Sequence, residues 1–303
     1  MSRMRTTARA TVSAGLLLAI LAWLDPAAVL AEVRAFSTPW LVAALAASVL
    51  QFALSAERWH LTARRLGVPL ARRRALADYY LAGFGNQVLP GGVLGDAARA
   101  ARHSRATGRT GPAVRAVVIE RASGQAVVAV VVAAMLLLTD PGRRLYALVP
   151  APTATAAAVA ALALLASIAL VRLPGVWPAL RVFVDDARRA LLARDAWPGQ
   201  LALSLGVLFT CCLVFACAGR MIGAGTPFST LLLVAPAVLL AMLVPVSVAG
   251  WGVRELAAAG IWAALGWPAA EGVAISIAYG ALCLAASLPG AAVAAAEPMR
   301  RAT

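Results

Sequence analysis

The chain reads as an all-α polytopic membrane protein, and three observations predict this. Of its 303 residues, 62% are hydrophobic and 13% are charged, where soluble domains carry about a quarter charged residues. Mean hydropathy is +0.84, and several apolar stretches reach the roughly 20 residues that a helix needs to cross a bilayer. The formal charge is +14 with no Lys, so every basic residue other than His is Arg. These Arg gather in a few loops, the pattern that marks a cytoplasmic face against anionic lipid.

Full spans are expected at 10–31, 39–58, 115–138, 148–171, 199–222 and 270–294. Arg3, Arg5 and Arg9 ahead of an apolar run, with Val29-Leu30-Ala31 after it, also fit a signal peptide. An uncleaved first span is the favoured reading, because the stretch is long and many spans follow. The segments 76–97 and 228–266 are apolar but interrupted. Six Arg lie between Arg58 and Arg74, five between Arg99 and Arg115, and five between Arg172 and Arg194. The opposite loops hold Arg34, Arg143, Arg144 and Arg220. Placing the three Arg-rich loops and both termini in the cytoplasm makes 76–97 a re-entrant hairpin from that face. Segment 228–266 is then a hairpin from the other face, turning near Pro245 to Trp251.

The prediction is therefore about six full spans plus two re-entrant helical hairpins in one membrane domain, 1–303. Its halves, 10–138 and 148–294, form an inverted repeat, an architecture that places transport sites at the repeat interface. The alternative is eight full spans, with 228–249 and 251–266 each crossing; the second is short for a span. The connector 173–197 reads as a cytoplasmic amphipathic helix lying on the membrane, with Val176, Leu180, Phe183, Val184, Ala187, Leu191 and Leu192 at helical spacing.

Two blocks share a spacing of Pro, Gly five residues on, and Arg nine residues on. The first runs from Pro90 through Gly91, Gly92, Gly95 and Asp96 to Arg99, preceded by Asn86 and Gln87. Its glycines allow close backbone approach. A helix starting after Gly95 would offer free N–H groups to an anion, unless Asp96 serves as its N-cap. The second block holds Pro245, Ser247, Gly250, Trp251, Gly252, Arg254 and Glu255. Arg254 and Glu255, as helix neighbours, are expected to point apart and to pair elsewhere. Ionisable groups at membrane depth are functional candidates by default; a structural ion pair between repeats is the alternative. Glu120-Arg121 is placed one to two turns into its span, within snorkelling reach of the interface for Arg121. Glu57-Arg58 is read as an interfacial anchor. Arg99, Arg121 and Arg254 are then the candidate ligands for an anionic headgroup or a lipid-linked phosphate, since Arg binds phosphate bidentately and stays charged when desolvated.

Other chemistry finds little support. Cys211, Cys212, Cys217 and Cys283 lie in apolar stretches without a CxxC pair, and His60 and His103 are the only two His. These read as packing residues and basic-loop residues, so no metal, cofactor or catalytic residue is assigned. No aromatic-interleaved basic patch outside the membrane suggests nucleic acid, and no GxxxxGK[ST] motif suggests ATP. Asp78, Asp96, Glu120 and Glu255 are the candidate proton carriers.

The blocks Asn86 to Arg99, Glu120-Arg121 and Pro245 to Glu255 resemble the flippase-like transmembrane region of lysylphosphatidylglycerol synthases and their standalone relatives, over about residues 10 to 295. The resemblance implies a bacterial or archaeal plasma-membrane protein that moves lipid between leaflets. The chain ends at Thr303, which implies a standalone member lacking the aminoacyltransferase domain. The expected activity is translocation of an anionic or aminoacylated phospholipid or a lipid-linked sugar phosphate. The competing readings are an accessory subunit of a cell-envelope glycosyltransferase and a membrane enzyme acting on lipid phosphates. A glycosyltransferase and a second copy of the chain are the protein partners considered.

Overall fold

A computed structural model describes residues 26–89, 92–147, 176–243 and 249–301. Among these, every regular element is helical. In chain order they are α1 (Pro26–Ala31), α2 (Thr38–Arg65), α3 (Arg72–Val88), α4 (Leu94–Thr107), α5 (Thr110–Leu138), α6 (Asp140–Ala147), α7 (Val176–Ala187), α8 (Trp197–Met221), α9 (Phe228–Leu240), α10 (Val253–Ala264), α11 (Ala269–Ser287) and α12 (Pro289–Arg301). A π-helical turn, Arg188–Leu192, extends α7, and a 3₁₀ turn, Ala241–Leu243, extends α9. Of the expected spans, 148–171 and nearly all of 10–31 lie outside the described residues, as do Pro90, Gly91, Pro245 and Ser247.

Four helices are long and apolar enough to cross a membrane: α2, α5, α8 and the run Ala269–Ala295 that joins α11 to α12. The first three have 28, 29 and 25 residues, roughly 37–44 Å at 1.5 Å per residue against a hydrocarbon core of about 30 Å. This is a polytopic membrane protein.

The scaffold is the long antiparallel contact between α2 and α8. Gln200 Nε2 donates to Thr62 Oγ1 (3.1 Å) and Arg58 Nη1 to Ser204 Oγ (3.2 Å). At the far end the Ser37 N–H donates to Met221 O (2.9 Å). The buried face of α2 is mostly small: Ala44, Ala47, Ser48, Ser55, Ala56 and Ala63. Lipid provides no hydrophobic drive between helices, so small residues that let backbones approach closely are what hold them together. One core packs α2 and α8–α11 around Phe215, Leu231, Trp262 and Ile275. A second packs the C-terminal half of α2 with α3, α4, α5 and the α7 extension around Trp59, Val68 and Ile119.

The helix ends sort by charge. Arg65 forks onto Asp195 (3.0 and 2.6 Å), Arg72 onto Glu57 (2.9 and 2.7 Å), and Arg109 Nη1 donates to Gly67 O (2.8 Å). These contacts gather the end of α2, the start of α3, the α4–α5 turn and the start of α8 at one basic end. At the opposite end Glu271 accepts the Gly225 N–H (3.0 Å), the Thr226 N–H (3.3 Å) and Trp262 Nε1–H (3.2 Å). This clasps the α8–α9 loop and the end of α10 to the start of α11. The pair α3–α4 therefore starts and ends at the basic end, and the pair α9–α10 at the opposite end. With 17, 14, 13 and 12 residues, these arms are about 18–26 Å long, too short to cross alone. Their tips meet: a Cβ on Gly92 would lie 3.9 Å from Ala249 N. Among the described residues, α2 and α8 run in opposite directions and the two hairpins open toward opposite ends.

Three features depart from the sequence reading. The stretch after Arg99 is not a basic loop: α4 continues to Thr107 and ends on Gly108 at φ +67°. Likewise α2 runs past Arg58 to Arg65. The Pro–Gly–Arg blocks are also out of register. Gly95 is the second residue of α4, whereas Gly250 precedes α10 by three residues at φ +81°. The two helix starts therefore differ by one turn relative to the motif. The connector is helical, as expected, but its face is divided. Phe183, Ala187 and Leu191 pack on the second core, while Trp177, Leu180, Val184 and Leu192 point outward.

Within the first hairpin, Gly95 sits so close to α3 that a Cβ would collide with the Ala82 carbonyl. Gly95→Ala is expected to force the arms apart and cost about 1–3 kcal/mol. Gly199→Ala, in open space at the start of α8, is expected to be neutral or to stabilise by up to about 1 kcal/mol. Thermal unfolding in detergent distinguishes them.

Candidate functional site

A charge in the middle of a bilayer needs a partner, because desolvating an ion alone costs several kcal/mol. Three helices of the first half meet this requirement together. From α2 comes Arg58, from α4 Asp96 and Arg99, and from α5 Glu120 and Arg121. Arg58 Nε donates to Glu120 Oε1 (3.1 Å), and its Nη2 donates to the Glu120 carbonyl (3.1 Å) and to Oε1. Arg99 bridges the two acids, with Nη2 to Glu120 Oε2 at 2.7 Å and Nε to Asp96 Oδ1 at 2.8 Å. Arg121 Nε donates to Asp96 Oδ2 (2.8 Å), and its Nη2 also reaches that oxygen. Asn86 Nδ2 adds a bond to Asp96 Oδ2 (3.0 Å), and Tyr79 Oη donates to Glu120 Oε1 (3.3 Å).

Three Arg against two carboxylates leave this relay one positive charge in excess. Arg99 and Glu120 are fully buried. The guanidinium of Arg99 lies between the Tyr79 and Trp59 rings, 4.5 and 4.7 Å from their centroids, positions where ring quadrupoles favour a cation. Gly124 makes the Arg58 contact possible: a Cβ there would lie 2.8 Å from both Nη atoms.

The accessible face of the relay opens on a cavity of about 770 Å³ bounded by α2–α5, α8, α9, α11 and both hairpin tips. Arg58, Arg121, Asp96 and Asn86 line it, and Gly92, Ala249 and Gly250 form its wall at the tips. The rest is mixed. Ser48, Gln51, Ser55 and Arg58 run along α2 at spacings of three and four, one polar stripe inside an apolar span. Phe52, Val117, Val128, Val207 and Leu239 supply apolar wall. Cys211 and Cys283, expected only to pack, also face the cavity.

The second block is arranged differently. Arg254 and Glu255 do not point apart. Arg254 Nη2 donates to Glu255 Oε1 (2.6 Å), and Ser276 Oγ accepts from Arg254 Nε (2.8 Å) and donates to Glu255 Oε1 (3.0 Å). Neighbours can pair here because Glu255 folds back over the helix start to accept the Gly252 N–H (2.7 Å). Gly252, at φ +86°, is the N-cap residue. Arg254 is held between Trp251 and Tyr279, with centroids at 5.0 and 5.2 Å. The Tyr279 ring separates it from the cavity, which Tyr279 lines.

Several sequence expectations change accordingly. Asp96 is not an N-cap: α4 begins at Leu94, and one N–H of that start, that of Gly95, donates to Asn86 Oδ1 (2.9 Å). Glu120 and Arg121 are not near the helix end. Counted from Thr110, Arg121 lies about 16 Å along α5, and it pairs with Asp96 rather than snorkelling. Arg58 is a buried relay member, not an anchor, although Glu57 does sit at the basic end with Arg72. The α2 stripe was the signal for it, since Ser48, Gln51, Ser55, Arg58 and Thr62 share one helical face. Tyr79, which a sequence scan for charges passes over, bridges Arg99 and Glu120.

Glu120 neutralises two buried Arg at once. Glu120→Gln is expected to cost about 3–5 kcal/mol and to abolish the monodisperse peak in detergent size-exclusion chromatography. Asp195→Asn, which removes an exposed partner of Arg65, is expected to leave that peak unchanged.

No curated protein and no solved structure matches the chain. A sequence model described as the lysylphosphatidylglycerol synthase TM region matches residues 7–290. That is nearly the whole chain, and the protein therefore belongs to this family of membrane proteins linked to lipid handling.

Proposed function

We propose that this protein moves a lipid with an anionic headgroup from one leaflet to the other. The observation that carries the proposal is the cavity: it adjoins a relay with one surplus positive charge and lies where two opposed hairpins touch. Discontinuous helices meeting at a repeat interface are the usual setting of a transporter site. Irregular backbone at such depth is tolerated where it lines a wet cavity, and the tips at Gly92 and Ala249 do so. Arg121 is the headgroup's first contact in this reading, because its side chain is 40% exposed while Arg58 is nearly buried. Arg99 and Glu120 hold the contact residues in place without touching lipid. Arg254 and Glu255 serve the second hairpin as a structural pair that supports Tyr279. The basic end faces the cytoplasm of a plasma membrane, with the outward apolar residues of α7 and its extension seated in that leaflet.

The test is translocation of leaflet-sensitive labelled anionic lipid in proteoliposomes. Arg121→Gln removes a charge that is already partly exposed, so the fold is expected to survive. Translocation is expected to fall at least about tenfold, the scale of one lost charge-assisted hydrogen bond. Arg143→Gln, on α6 and paired at the surface with Asp140, is expected to match wild type. Full activity in folded Arg121→Gln would remove this site from the mechanism.

A further inference from the structure

We infer that the headgroup taken by this cavity is a polyhydroxylated phosphate ester, such as a sugar or polyol phosphate, and not an aminoacylated one. The inference rests on the lipid-binding reading above and narrows its substrate class. Two observations carry it.

The first is that the cavity wall has no carboxylate to spare. Asp96 is the one acid lining it among the described residues. Its Oδ1 accepts from Arg99, and its Oδ2 accepts from Asn86 and Arg121. Glu120, behind the wall, is filled by Arg58, Arg99 and Tyr79. An incoming ammonium group would find no free counter-charge and would meet the relay's excess positive charge at short range. Like charges in a partly desolvated site repel more strongly than in water. A phosphate meets the reverse situation.

The second is a set of uncharged amides that no described residue bonds. Gln51, Gln87 and Gln125 all line the cavity, and none makes a side-chain hydrogen bond with a described residue. A primary amide offers two donors and an acceptor with two lone pairs, and three of them, from α2, α3 and α5, face this one cavity. Their placement is ordered. Gln51 lies two turns from Arg58 on α2, and Gln125 one turn from Arg121 on α5. Because α2 and α5 are antiparallel, both steps lead away from the basic end. Gln87, in the last turn of α3, lies on that side as well. A phosphate seated on Arg58 and Arg121 puts the rest of its headgroup about 5–10 Å farther along, among three amides that match hydroxyl groups as both donors and acceptors.

The test is competitive binding by native mass spectrometry of the purified full chain. The probes are phosphatidylinositol, a polyprenyl phosphohexose, phosphatidic acid, lysylphosphatidylglycerol and soluble glucose 1-phosphate. Phosphatidylinositol and the phosphohexose are expected to bind roughly tenfold more tightly than phosphatidic acid, the scale of one or two neutral hydrogen bonds. In the Gln51→Leu/Gln125→Leu variant that ratio is expected to fall within about twofold, with phosphatidic acid affinity unchanged as proof of folding. Glucose 1-phosphate that competes as well as the phosphohexose would keep the headgroup chemistry but overturn its lipid origin. Equal binding of phosphatidic acid and phosphatidylinositol, or tightest binding of lysylphosphatidylglycerol, overturns the inference. Proteoliposome transport is scored separately. Selective binding without transport upholds the headgroup class and removes the translocator reading, whereas transport without selectivity does the opposite.

Discussion

The rest of the structure depends on one constraint: five charged side chains share a space that lipid surrounds. Arg58, Glu120, Arg99, Asp96 and Arg121 form an alternating chain of cations and anions across α2, α4 and α5. Each acid has two basic partners and Arg99 is shared, so removing one acid leaves one Arg with no carboxylate and Arg99 with a single one. That linkage ties the hairpin to the two long helices more tightly than apolar contact can, because apolar packing in a membrane has no solvent-driven advantage over lipid. The aromatic slot around Arg99 and the missing Cβ at Gly124 are the local conditions that let the chain close.

Around this relay, small residues decide how near the backbones come. Gly95 lets α4 touch α3 at Ala82, and Gly290 lets α12 cross α3 at Tyr80. The second hairpin solves its turn with backbone conformation instead, through Gly250 and Gly252 at positive φ and Ala249 at φ +52°. The two hairpins are alike in layout but not in chemistry. The first carries a network that reaches the cavity surface. The second carries a self-contained pair sealed behind Tyr279. The site is correspondingly one-sided: its charge comes from the first half, and the second contributes wall through α8, α9, α11 and the tip.

Membership in the lysylphosphatidylglycerol synthase TM region family fixes the membrane and lipid context. The cavity adds the physical content. A cationic surplus beside a polar stripe and apolar walls suits an amphiphile whose head is anionic and whose tails stay in lipid. In the proposed reading the neutral amides sharpen that description, because the wall's one acid, Asp96, is already paired with Arg99 and Arg121.

Hydropathy and Arg distribution by themselves determined the class and the positions of the four long helices among the described residues. These are properties of local composition: length sets what spans, and charge sets which ends lie together. The sequence also singled out Asp96, Arg99, Glu120 and Arg121 as candidate site residues, since ionisable groups at membrane depth are functional candidates by default. Who partners whom was decided only by the tertiary structure. Arg58 looked like an anchor because its helix seemed to stop there, yet α2 continues two turns and carries it inward. Arg254 and Glu255 looked divergent on a helical wheel, yet a carboxylate folded onto its own helix start lets neighbours meet. The two Pro–Gly–Arg blocks looked equivalent, yet their helices begin one turn apart. In each case the deciding quantity is a distance between segments far apart in the chain, and spacing along one helix does not encode it.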